Sequence, residues 1–313
     1  MAVRSLRYSW AIDATRRSGT AANAVTVAIV WAGGLLILSN LPDIIFRTAT
    51  GARTSPEWLP GLALVLLVVM LAIVVVWSPV HRLWGYALTL VALGAGYLLE
   101  SVVEHSSLWI SWNQSLSPGI SFVLINSTKL IPVATLSVSL VGSGVSREDV
   151  FIAFGDFRAR FMRIGAHHSL SWGWLLPVAL LLSVGPVVAN VVAARHPDFG
   201  TAARLLPLAP LIVTGAAINT FSEEFLFRQV LLARLIPVLG VTQAVWLTGL
   251  RFGVGHWFGN PSGLTGVLLA TVFGWFAARS MLDTRGSGWI WLVHLINDVV
   301  IFSLIALTTA RWV

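Results

Sequence analysis

Two adjacent carboxylates, Glu223 and Glu224, with Arg228 just beyond, stand in GAAINTFSEEFLFRQVLLARLI, a run otherwise apolar enough to lie in a bilayer. Carboxylates at membrane depth carry a large desolvation cost, so ionisable groups there are functional-site candidates. On a helix Glu224 and Arg228 share a face and can pair, while Glu223 is rotated by roughly 100°. That spacing predicts a division of labour. Glu224 and Arg228 hold one another, and Glu223, without a cation of its own, is free to act as a general base. Two more polar insertions follow on later apolar runs. In Phe252-Gly253-Val254-Gly255-His256, Phe252 and His256 share a face and the glycines permit close backbone approach. In His294-Leu295-Ile296-Asn297-Asp298, His294 and Asp298 are one turn apart and can converge on one point, with Asn297 as the rival partner.

These side chains need a scaffold, and composition names its solvent. The chain has 313 residues, 57% of them hydrophobic and 11% charged. Soluble domains carry about a quarter charged residues, so this is a multi-pass membrane protein. Fifteen Trp against three Tyr suit bilayer interfaces. The absence of cysteine excludes disulfides, thiolate metal sites and a Cys nucleophile. Lys129 is the single lysine, and the net charge of +7 is spread over loops, which fits membrane topology rather than nucleic-acid binding.

Apolar runs long enough to span lie near 22–41, 58–78, 83–103, 118–142, 171–194, 205–227, 238–258, 263–281 and 288–309, predicting an all-α bundle of eight or nine transmembrane helices. The first run reads as a retained anchor, because no small-x-small cleavage site closes it. With the N-terminus in the cytoplasm, twelve loop arginines fall inside (Arg4, Arg7, Arg16 and Arg17 among them) and five outside, which favours that orientation. Residues 146–168 form the non-spanning segment. Phe151, Phe154, Phe157, Phe161 and Ile164 recur at helical spacing, and Ser146 with Asp149 makes a capping box. They predict an amphipathic helix on the cytoplasmic surface. It divides the chain into spanning helices of unassigned function (1–145) and a core (169–313) whose motifs lie in 215–305.

The motifs Glu223-Glu224-x-x-x-Arg228, Phe252-x-x-x-His256 and His294-x-x-x-Asp298, on successive helices in this order, resemble the CAAX-protease and bacteriocin-processing (CPBP, abortive-infection) family of intramembrane proteases. The resemblance spans roughly 215–305. It implies that Glu223 and His256 activate a water for attack on a peptide bond. His294 and Asp298 would stabilise the oxyanion or orient the site, and Glu224 with Arg228 would hold the geometry. The final Asp stands where relatives also use Asn. An ionised Asp cannot donate to an oxyanion, so Asp298 must be protonated, orient His294 or bind metal, or else Asn297 is the donor. Zinc on Glu223, His256 and His294 is the alternative to a metal-free water, although no HExxH is present. The expected partners are the bilayer and a membrane-associated protein or peptide substrate. A non-enzymatic immunity or scaffold protein and a proton-coupled transporter are the rival readings. Polar groups crowded into one half argue against the transporter. Outside the motifs, Glu100 and Glu104 read as an exterior wet face, and Trp172, Trp174, Trp289 and Trp291 as interfacial anchors.

Overall fold

Apolar length decides the architecture. The computed structural model describes residues 23–164, 168–259 and 261–308, and within them seven helices are long and apolar enough to cross a membrane. A bent pair would make an eighth. Arg4, Arg7, Arg16, Arg17 and Arg311 of the orientation count lie outside the described residues.

The first run is α1 (Ala24–Trp31), continued by a π-helical stretch Ala32–Ile37. It then turns by 54° into α2 (Leu41–Thr50), which makes the pair a broken span or a re-entrant element. Next come α3 (Leu59–Val76), α4 (Trp84–Glu104), the short α5 (Ser107–Gln114), α6 (Pro118–Thr128) and α7 (Leu130–Gly142). The predicted fourth span is thus α6 and α7, interrupted at Lys129.

Residues 146–168 correct an expectation. Among its described residues there is no amphipathic helix: the segment runs as turns into an antiparallel pair, β1 (Arg160–Ile164) with β2 (His168–Ser171). The capping-box contacts do form, with Ser146 N donating to Asp149 Oδ2 at 3.0 Å and Asp149 N to Ser146 Oγ at 3.3 Å, but they close a turn. Phe151 (φ 57°) and Gly155 (φ 87°) adopt left-handed backbone that no α-helix tolerates. The segment's peptide groups pair across the bundle instead. Asp156 N donates to Thr284 O (2.8 Å) and Gly288 N to Phe154 O (3.1 Å). Of the phenylalanine series, Phe151, Phe157 and Phe161 pack against the core, whereas Phe154 is exposed.

Beyond it lie α8 (Trp172–Arg195), α9 (Ala209–Glu224), a π-helical stretch Phe225–Gln229, α10 (Val230–Gly255), α11 (Gly263–Thr284) and α12 (Gly288–Leu307). Two predicted spans are therefore one helical run that kinks at Gly240, where φ is 78°. Gly253 sits where a Cβ would collide with Thr271 and the Val267 carbonyl, and that close approach locks α10 to α11. Of the expected tryptophan anchors, Trp174 is exposed, but Trp172 and Trp289 are buried against each other, ring centroids 4.9 Å apart. Trp172 Nε1 donates to Asp283 and Trp289 Nε1 to the Trp172 carbonyl, so both indoles are satisfied inside the bundle. Arg251 is also interior. It donates to Leu38 O and Tyr97 Oη (3.3 Å each) and stacks over Phe227, tying the bent N-terminal element to the core.

Candidate active site

The π-helical stretch follows Glu224 directly, and such turns commonly occur at functional positions. Across it Arg228 returns to Glu224 in a bidentate pair. Nε donates to Oε2 at 2.6 Å and Nη2 to Oε1. Both side chains are fully enclosed, and the guanidinium also lies 4.0 Å from the Phe252 ring centroid. A buried charge pair survives only with such geometry and further partners. That explains the aromatic of the second motif: Phe252 covers the Arg228 cation and packs 4.3 Å from the His256 ring.

His294, on α12, completes Glu224's hydrogen bonding through Nδ1 at 2.6 Å. A carboxylate already paired with Arg228 only accepts, so Nδ1 carries the hydrogen. The opposite nitrogen, Nε2, stands 3.6 Å from Glu223 Oε2 and 3.6 Å from Asp298 Oδ1. The structure thus brings Glu223, Glu224, Arg228, His294 and Asp298 into one contiguous cluster at the meeting of α9 and α12.

One finding departs from the sequence expectation and two narrow alternatives that it left open. Glu223 does have a cation: Lys129 Nζ lies 3.7 Å from its Oε1. Asp298 is held as an acceptor, its Oδ2 taking hydrogen bonds from Asn219 Nδ2 and Thr220 Oγ1 at 2.9 Å each. Asn297 points away, its amide donating to Ser183 Oγ (2.9 Å) and the Val293 carbonyl (2.8 Å). Asn219 and Thr220 were missed by sequence reasoning. They stand one helical turn before Glu223 and Glu224, and a scan for polar residues at that spacing would have found them.

His256 sits at the end of α10, with Nδ1 2.9 Å from its own helix's Phe252 carbonyl. The hydrogen therefore resides on Nδ1, leaving the Nε2 lone pair free. Two cavities meet at this ring. One, of about 410 Å³, runs between α8, α11 and α12 to His294 and Asp298. The other, of about 790 Å³, lies between the N-terminal helices and α9 and contains Glu223, Glu100 and Lys129. Glu100 is therefore not on an exterior face. With Glu104 it flanks Thr128, whose hydroxyl lies 2.7 Å from Glu104 and 3.3 Å from Glu100. Among the described residues no three His, Asp or Glu side chains are grouped to hold one metal ion. Glu223, His256 and His294 are not so grouped, although each histidine uses only Nδ1 in the hydrogen bonds described above.

Fold and site define a multi-pass membrane protein with a buried, ion-paired carboxylate–histidine centre. Residues 205–300 match the family described as type II CAAX prenyl endopeptidase, Rce1-like, the family that the three motifs resemble. All three motifs fall within the match; the first 204 residues, Lys129 among them, fall outside it. No curated protein and no solved structure matches the chain significantly.

Proposed function

We propose that the chain is an intramembrane endopeptidase that hydrolyses a peptide bond of a membrane-associated protein or peptide with a water activated by Glu223 and His256. The observation that carries this reading is that Glu223 and His256, both within the segment that matches an endopeptidase family, border one cavity. A water between them offers its hydrogens to a Glu223 oxygen and to His256 Nε2. Glu223 takes the proton as the oxygen adds to the peptide carbon. The resulting oxyanion is received by an N–H at His294 Nε2, the nitrogen that faces Glu223 and Asp298, with the ring as an imidazolium whose other proton, on Nδ1, is given to Glu224. The C–N bond then breaks, and the proton held by Glu223 passes to the departing amine. Glu224 and Arg228 do no proton transfer; they fix the His294 ring. Asp298, held as a hydrogen-bond acceptor by Asn219 and Thr220, orients the same imidazole from its other side.

No step requires a metal, and zinc-assisted hydrolysis is the alternative that the experiment separates. An N-terminus in the cytoplasm of the cell membrane is part of the proposal, resting on the arginine distribution. Purified protein in proteoliposomes is assayed on internally quenched C-terminal peptides, prenylated and unprenylated, with cut sites read by mass spectrometry. Glu223→Gln is expected to lower kcat by roughly 10²–10⁴-fold, the usual contribution of a general base. Glu223→Gln cleaving at the wild-type rate sinks the reading. Loss of activity with a chelator and recovery with zinc replaces it with the metal-dependent one.

A further inference from the structure

Lys129 is the chain's single lysine among twenty basic residues, and it lies outside the segment covered by the family match. It stands at the interruption between α6 and α7, with Pro132 just beyond. Its ammonium donates to Asn219 Oδ1 and lies 3.7 Å from Glu223 Oε1. Asn219 and Glu223 are one turn apart on α9, so a single cation reaches both. A side-chain amide has one acceptor end and one donor end. With the oxygen of Asn219 turned to Lys129, its NH₂ faces Asp298 Oδ2 at 2.9 Å. Reversing that amide would set NH₂ against an ammonium and a carbonyl against a carboxylate, two repulsive contacts in place of two attractive ones.

The contacts close a ring. Glu223 meets Lys129, Lys129 meets Asn219, Asn219 meets Asp298, and both Asp298 and Glu223 face His294 Nε2 at 3.6 Å. Four members come from the family-matched segment and one from outside it. We infer that Lys129 is a positioning residue of the active site, which fixes the direction of the Asn219 amide toward Asp298 and anchors the Glu223 carboxylate beside His294. A lysine that merely bridged helices would have no need to contact Glu223. Lys129 also lines the 790 Å³ cavity beside Glu223 and His256, so its ammonium borders the space where the proposed water and peptide would lie.

The inference rests on the hydrolase reading, and its test separates the two. In the proteoliposome assay Lys129→Met is expected to lower kcat on the order of 10²-fold, as loss of positioning does. KM should change less than about threefold, because substrate binding is left in place. Lys129→Arg should restore part of the rate. Lys129→Ala should respond to added methylammonium, for which the cavity has room. One lysine also means one side-chain ammonium resonance after ¹⁵N-lysine labelling. That signal should move in both Asn219→Ala and Glu223→Gln. Wild-type kcat in Lys129→Met, where Glu223→Gln is inactive, overturns the role of Lys129 and leaves the hydrolase reading standing. If no peptide is cut, or Glu223→Gln is fully active, the hydrolase reading fails first. The resonance then decides the placement of Lys129, and a signal unmoved by either substitution overturns it.

Discussion

The cavity between α8, α11 and α12 presents Val178, Leu182, Phe273 and Phe276, whereas the one beside α9 presents Asp43, Arg47, Glu57, Glu100 and Lys129. The first is apolar and opens beside α8, whose Leu181, Leu182 and Trp174 face outward as lipid-facing residues do. The second is polar and roofed by the bent N-terminal pair. His256 borders both. For the proposed hydrolase, a wall of acid–base groups between an apolar and a polar space suits an amphiphilic substrate, with a hydrocarbon-like part on one side and a hydrated peptide on the other. It also assigns labour within the chain. The matched segment, with α8, builds the apolar side, and the first 145 residues build most of the polar side and contribute Lys129.

The most damaging way to break this arrangement is Arg228→Leu, which leaves Glu224 charged and enclosed. Removing one partner of a buried pair costs about 3–5 kcal/mol. Loss of both activity and thermal stability is therefore expected, measured by peptide cleavage and by unfolding in detergent. Asp298→Ala comes next. It should reduce kcat roughly 10²-fold, the scale set by losing an electrostatic element of an active site. Asn297→Ala, whose amide serves Ser183, should stay within about threefold, as substitutions away from the chemistry do. Equal losses in the pair would mean that Asn297 takes part in the chemistry. Filling the apolar cavity with Ala179→Trp should raise KM about tenfold for a prenylated peptide and leave a short polar peptide unaffected, since pocket contacts set apolar discrimination. A rise for both peptides would deny the cavity its separate role. The smallest change is expected from Glu100→Gln on the polar side. A partly solvated charge is worth about 1 kcal/mol or less, so a neutral peptide should be cut within about fivefold of the wild-type rate.

Much of this was legible in the residues. The span boundaries near 58–78, 83–103 and 263–281 match α3, α4 and α11 to within a few positions, because a bilayer demands about twenty apolar residues and tolerates little else. The surface helix at 146–168 failed for the opposite reason. Phe151, Phe154, Phe157 and Phe161 recur as they would on a helix, yet backbone hydrogen bonds to Thr284 and Gly288 favoured turns and a hairpin. Phe151, Phe157 and Phe161 pack on the core while Phe154 is exposed, so a loop docked on other helices can mimic much of an amphipathic face.

By itself the sequence determined the class of solvent, the pairing of Glu224 with Arg228, and the approach of His294 to Asp298. Composition answers the first, and one turn of helix answers the other two, because residues four apart are neighbours wherever the helix lies. Only the tertiary structure decided that Glu223 meets Lys129, that Asn219 and Thr220 hold Asp298, and that Asn297 turns to Ser183. Those contacts join groups 78 to 114 positions apart or set the rotation of α12 against α8 and α9. Spacing along one helix fixes the direction of a side chain relative to its neighbours, but what it meets across the bundle follows from how the helices pack.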